Sequence, residues 1–236
     1  GVSVGVLAID PSSPFTGGAI LGDRVRMDEH ALDEEVFIRS MATRGHLGGL
    51  SVAVPDAARV LDAAGMQWVL IETVGVGQVE VEIVGEADTT IVVVNPGWGD
   101  TVQANKAGLM EIADIFVVNK ADRSGIEETV ADLERMLSLR TGSEWRPPVV
   151  QTIATEGRGA NELWSAIQHH SAWSHESGEF ERRRSLRLDQ ELRRVVNALM
   201  AAKIEELSGG DAWERARREV AARHIDPWTA ANELLG

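Results

Sequence analysis

Short runs of continuous apolar residues recur along the chain with longer amphipathic stretches between them. This alternation limits the fold more than any other feature. The runs are Val4–Ile9, Trp68–Glu72, Thr90–Val94, Ile115–Val118 and Val149–Ile153. They are continuous rather than alternating in polarity, as expected of strands buried on both faces. Helical spacing fits near Val54–Ala64, Asp100–Ile112, Gly125–Leu139 and Gly159–His169. The expectation is an α/β fold built on a doubly wound, mostly parallel sheet covered by helices. Pro147-Pro148 sets up the last strand, and strand-type runs stop after His175. Two helical segments follow, near Arg182–Leu207 and Asp211–His224, broken by Ser208-Gly209-Gly210; Asp226-Pro227 then starts a short terminal turn or helix. The expected division is an α/β domain over residues 1–175 and a helical arm over 176–236.

Charge bounds the partners. Residues 1–175 hold 12 Lys/Arg against 25 Asp/Glu, whereas residues 176–236 hold 11 against 12, so nearly all of the net charge of −14 sits on the first part. An acidic body argues against nonspecific nucleic-acid binding, which needs a basic surface to displace counterions. No apolar stretch approaches the roughly 18 residues that span a bilayer, and no basic leader precedes Gly1–Ile9, so neither a membrane span nor a signal peptide is expected. The chain has no cysteine, which excludes disulfides and thiolate metal sites and fits a cytoplasmic location. Arg182-Arg183-Arg184 reads as a solvated helix start or a partner contact. Leu186, Val195, Leu199 and Ile204 give the arm one apolar face, which either packs on its own domain or makes a dimer.

Directly behind the run Ile112–Val118 stands Asn119-Lys120-Ala121-Asp122. This NKxD pattern suits guanine. A carboxylate at its fourth position accepts two parallel hydrogen bonds from the ring N–H and exocyclic amine of guanine. Adenine has no such donor pair on that edge, and an unpaired carboxylate there costs roughly 1–3 kcal/mol or more. Asn119 would hold the base edge and the neighbouring loop, and the Lys120 stem would lie flat along the purine. The place is right as well, since ligands of open α/β sheets bind at the carboxyl ends of strands. The alternative is a polar strand-to-helix turn.

A phosphate and magnesium end is legible elsewhere. Asp10-Pro11-Ser12-Ser13-Pro14 follows the first strand, and Pro11 disfavours a helical Asp10. Glu72-Thr73-Val74-Gly75-Val76-Gly77 repeats the arrangement, with glycines that admit a phosphate close to the backbone. Carboxylates on neighbouring strand tips suit Mg²⁺, which takes few protein oxygens plus water. The alternative for Asp10 is a turn-forming residue. Residues 15–27 and 39–50 are Gly-rich and poorly periodic, and both read as loops that can respond to a γ-phosphate. His46 in the second is a solvated loop residue or a base. A third Gly-rich loop, Asn95–Asp100, opens a helix on which Asp100, Gln103 and Lys106 share one face, solvated or functional. No histidine shows a metal-ligand spacing.

These pieces in this order resemble the GTPase chaperones associated with methylmalonyl-CoA mutase, once also labelled arginine/ornithine transport ATPases. The resemblance rests on Asp10–Arg24, Phe37–Ser51, Glu72–Glu80, Asn119–Asp122 and the closing Asp226–Leu235, and covers nearly the whole chain. It implies a P-loop GTPase domain with a helical arm that makes a homodimer. It also implies slow GTP hydrolysis that gates loading and protection of an adenosylcobalamin-dependent mutase. On the matching positions, Asp10, Asp23 and Glu72 look like the Mg²⁺ and switch acids, with Asp23 and Glu72 catalytic. Asn119, Lys120 and Asp122 look like the guanine reader of GTP or GDP, and Ala154-Thr155-Glu156 like the loop whose backbone caps the base. Asp100, Gln103 and Lys106 fall on the loop that couples nucleotide state to the mutase.

One departure matters. No GK[ST] occurs in the 236 residues. The P-loop of the family, GxxxxGK[ST], is expected upstream of the first strand, together with a central strand, the phosphate cradle and a Ser/Thr ligand of Mg²⁺. An arginine finger is not identifiable either. The chain is read either as a fragment of a longer protein or as a variant without a triphosphate grip, and by itself it is expected not to hydrolyse GTP at a measurable rate. Two other functions compete: a non-catalytic pseudo-GTPase interaction module, and a kinase or ATPase tied to amino-acid transport, against which Asn119–Asp122 argues.

Overall fold

β1 (Val4–Asp10) pairs in parallel with β2 (Val36–Ala42) on one side and β3 (Trp68–Thr73) on the other. β5 (Ile115–Asn119) likewise stands between β4 (Ile91–Val94) and β6 (Val149–Thr152), again all parallel. In the computed structural model the described residues are 1–10, 27, 30, 32–42, 53–73, 85–97, 111–139 and 144–235, with the side chains of 10 and 42 outside them. Among these the ladders form two three-stranded sheets, ordered β2-β1-β3 and β4-β5-β6, where a single sheet was expected. Parallel strands with helices confirm the α/β class.

Each sheet has its own core. α1 (Ala53–Ala63) lays Val54 and Leu61 over Leu7 and Ile9 of β1. Gly5 makes that approach possible, since a Cβ there would lie 2.7 Å from Leu61 Cδ1. α2 (Ile126–Ser138) repeats apolar residues at Ile126, Val130, Leu133 and Leu137, which pack with Val94, Phe116 and Val118. β5 is the central strand of its sheet, and Ile115–Val118 are all buried. That burial explains the continuous apolar run.

Two boundaries differ from the sequence reading. Residues 39–42, read as the start of a loop, belong to β2. It is an edge strand, with Phe37 and Arg39 exposed and Val36, Ile38 and Ser40 half-buried, so its polarity alternates and lacks the signature of a covered strand. The rest of that loop, 43–50, lies outside the described residues, as do 15–26. The helix expected over 100–112 lies outside them too, save residues 111 and 112, which are helical. α3 (Ala160–Glu176) runs past His169, because His169, His170 and Trp173 all pack against Trp145.

Contacts divide the chain into two units, Gly1–Arg183 and Arg184–Gly236. α4 (Glu179–Ser208) begins in the first, after Gly178 closes α3 at a φ of 78°. The second unit holds the rest of α4 with α5 (Asp211–Ala221) and α6 (Pro227–Leu235). Asp226 caps α6 by accepting the N–H groups of Trp228 and Thr229, at 2.9 and 3.2 Å. No residue of α4 is buried. Leu188, Leu192, Val195 and Leu199 stand exposed along it at alternating steps of four and three, the spacing of a coiled-coil seam. Among the described residues no helix is long and apolar enough to cross a membrane.

Candidate nucleotide site

The carboxyl ends of β5 and β6 are adjacent, with Asn119 opposite Thr152 in the ladder. Beyond β5 the chain turns sharply at Lys120, whose φ of 59° lies in the left-handed region. A non-glycine residue there costs about 1 kcal/mol and marks a site where the surroundings enforce the shape. The turn is held by Ala121 N–H donating to Thr152 O at 3.0 Å and Arg123 N–H donating to Lys120 O at 3.0 Å.

Asn119 Oδ1 accepts two hydrogen bonds, from Ala154 N–H and from Thr152 Oγ1, both at 3.1 Å. A backbone N–H can only donate, so the carboxamide oxygen must face Ala154. The Asn119 amide NH₂ therefore points away from the turn as a free donor pair, with no partner among the described residues. Lys120 and Asp122 are exposed, and neither side chain has a hydrogen bond or ion pair among the described residues. An acceptor and a donor pair thus stand at the mouth of one turn.

Ala154–Glu156 form a single 3₁₀ turn, all three exposed. Paired backbone bonds close its base, Ile153 N–H to Arg158 O at 3.0 Å and Arg158 N–H to Ile153 O at 3.3 Å. Gly159 then enters α3 with a φ of 82°, so close to β6 that a Cβ there would lie 2.2 Å from Gln151 O and 3.0 Å from Thr152 Cγ2. Thr152 and Gly159 are the two residues that sequence reasoning missed. Thr152 sits inside a strand run and gives no signal of its own, whereas Gly157-Arg158-Gly159 was a legible turn signal. An open groove of about 340 Å³ runs along β6 beside Arg158 and Glu162, but it includes neither Asn119 nor Asp122.

The second group lies at the carboxyl ends of β1 and β3. These strands are neighbours, with Ala8 opposite Glu72 and Ile9 opposite Thr73, and Asp10 closes β1. Glu72 is exposed. A carboxylate is the hard oxygen donor that Mg²⁺ takes, and of the two acids only the Glu72 side chain is among the described residues. Asp23, Asp100, Gln103 and Lys106 lie outside the described residues.

Comparisons with known proteins converge. A family model described as "Methylmalonyl Co-A mutase-associated GTPase MeaB" matches residues 1–208. A putative GTPase of Pyrococcus abyssi is 51% identical over the whole of this chain and 74% of its own. The mitochondrial methylmalonic aciduria type A homolog of Mus musculus is 35% identical over 78% of this chain and 46% of its own. Among solved structures, one titled "LAO/AO transport system kinase" superposes with a TM-score of 0.64 at 26% identity, covering 99% of this chain and 70% of that one.

Proposed function

Because the chain belongs to the methylmalonyl-CoA mutase-associated GTPase family, we propose that it binds and hydrolyses GTP to gate cofactor loading and protection of an adenosylcobalamin-dependent mutase. The observation that carries the reading is the Asn119 tie. One side chain holds the base-capping turn at Ala154 and leaves its amide aimed elsewhere, while Asp122 stands exposed beside it. In this reading Asp122 accepts the two guanine donors, Lys120 lies along the purine, Asn119 NH₂ donates to the base, and the Ala154-Thr155-Glu156 backbone covers its edge. Asp10 and Glu72, with Asp23, would hold Mg²⁺, which would supply charge neutralisation to the phosphates. Asp23 and Glu72 respond to the γ-phosphate, and Asp100, Gln103 and Lys106 carry the response to the mutase.

Among the described residues β3 and β4 each pair on one side only, and Leu70 and Val93 on them are 48% and 60% exposed. A parallel apolar strand bearing the phosphate cradle would cover such edges. The seam on α4 pairs two copies of the chain into a homodimer, and the assembly works in the cytoplasm.

The test is a calorimetric titration of GDP with Mg²⁺ into three proteins: this chain, its Asp122→Ala variant, and a chain extended upstream. Binding that is lost in Asp122→Ala supports the guanine reader. Binding by neither the short nor the extended chain overturns it. A second reading, a non-catalytic interaction module, draws on the exposed apolar seam of α4. Co-purification with the mutase regardless of nucleotide would select it, and GTP turnover abolished by Glu72→Ala would exclude it.

A further inference from the structure

A buried ionic cluster occupies the opposite end of the same sheet from the base reader. Asp114, just before β5, is 4% exposed. Its carboxylate accepts Thr90 N–H at 2.8 Å, Arg183 Nη1 at 2.9 Å and Arg183 Nη2 at 2.8 Å, the last two as a planar fork. His170 of α3, fully buried, places Nε2 3.3 Å from Asp114 Oδ1 and Nδ1 2.8 Å from Thr89 Oγ1. Trp145 Nε1 donates to Asp114 O at 2.8 Å and packs edge-on against the His170 ring. Arg183 is otherwise satisfied by Glu179 Oε1 at 2.8 Å and Asp88 O at 3.3 Å. Four segments meet at one carboxylate: the entries to β4 and β5, the second half of α3, and the first turn of α4.

The two ends are joined by stiff elements of matched length. Along β5 Asp114 and Asn119 are about 16 Å apart at 3.3 Å per residue. Along α3 Gly159 and His170 are also about 16 Å apart at 1.5 Å per residue. Strand and helix are tied to each other at one end by Asn119 to Ala154 and Thr152, with Gly159 against Gln151 O. At the other end Trp145 joins them again, its indole N–H bonded to Asp114 O and its ring packed on His170, whose Nδ1 is bonded to Thr89 Oγ1 at the entry to β4. In a frame closed at both ends, ordering one end bears on the freedom of the other.

We propose that this frame couples guanine-nucleotide occupancy at Asn119 to the seating of the first turn of α4 on Asp114. The proposal rests on the guanine reading above. Its physical content is reciprocal: nucleotide tightens the Glu179–Arg183 turn, and loosening that turn weakens the nucleotide by the same factor.

The experiment is hydrogen exchange over residues 177–183, with and without saturating GDP and Mg²⁺, in whichever form binds GDP in the titration above. GDP affinity is measured beside it for Arg183→Met, for the charge-free pair Asp114→Asn/Arg183→Met, and for Arg193→Met as a control on the exposed part of α4. Expected are slower exchange over 177–183 with GDP in the parent protein, no such slowing in the two cluster variants, and GDP affinity weakened about five-fold or more in them. Arg193→Met should match the parent. Unchanged exchange over 177–183 on GDP binding overturns the coupling alone, as does a GDP affinity within about two-fold of the parent in a folded cluster variant. The parent protein's exchange needs no variant to fold. A protein that binds no GDP in either form overturns the guanine reading, and the coupling with it.

Discussion

Replacing Asp114 by asparagine keeps the shape of the side chain and removes its charge, and the structure sets the size of the effect. Burial raises the Asp114 pKa, but the hydrogen bonds from Arg183, with the His170 ring beside them, outweigh it and hold the group at about 2, below its ordinary 3.8. At about 1.4 kcal/mol per pH unit, that gap contributes about 2–3 kcal/mol to folding at neutral pH. Asp114 is buried, so solvent does not screen this contribution away. The sign follows from linkage. A carboxylate depressed on folding stabilises fully above its unfolded pKa, and the stabilisation is lost as the pH falls toward the folded value. The difference in unfolding free energy between the parent and Asp114→Asn should therefore be about 2–3 kcal/mol at pH 7, about half that at pH 3 and nearly gone at pH 2. Urea unfolding followed by far-UV circular dichroism across that range measures it. Glu179 is also held at about 2, chiefly by Arg182, but it is present in both proteins and cancels in the difference. A difference below about 1 kcal/mol at pH 7, or one that does not shrink on acidification, would refute the reasoning.

Three further outcomes follow from other parts of the molecule. Gly159→Ala combines a left-handed φ with a Cβ 2.2 Å from Gln151 O, so thermal melts should show a loss of at least about 2 kcal/mol; an unchanged melting temperature would mean the α3 entry yields easily. Asp122→Ala should bring GDP affinity down roughly 10- to 100-fold and erase the preference over inosine diphosphate, since only guanine presents the second donor; competition titration reads this directly. Leu192→Glu with Leu199→Glu places two charges in the α4 seam and should convert a dimer to monomer in sedimentation velocity; a parent protein that is already monomeric removes the seam from the account.

Much of this architecture was open to reading from local pattern, because covered parallel strands and amphipathic helices write their periods into the chain. The buried run Ile115–Val118 marked β5, and the turn letters Asn119–Asp122 marked what stands at its tip. β2 escaped because an edge strand lacks the continuous apolar signature, and the long continuation of α3 escaped because its reason is the Trp145 indole rather than its own spacing. Thr152 was visible only as one more strand residue. Its bond to Asn119 exists because β5 and β6 are neighbours in register, which no window on either strand can report.

Asp114 makes the same point more sharply. In sequence it is a single acid beside an apolar run, with nothing to separate it from a solvated residue. Arg183, in sequence, belongs to a basic helix start. They pair only when the fold brings together groups 69 residues apart, burying the carboxylate and half-burying the guanidinium. The chain's local chemistry determined most of its strands and helices and the letters of the turn behind β5. Which charges are buried, which side chains lock one another, and what joins the two ends of the sheet were decided by tertiary packing, because burial and long-range pairing are properties of the assembled chain and have no local period to read.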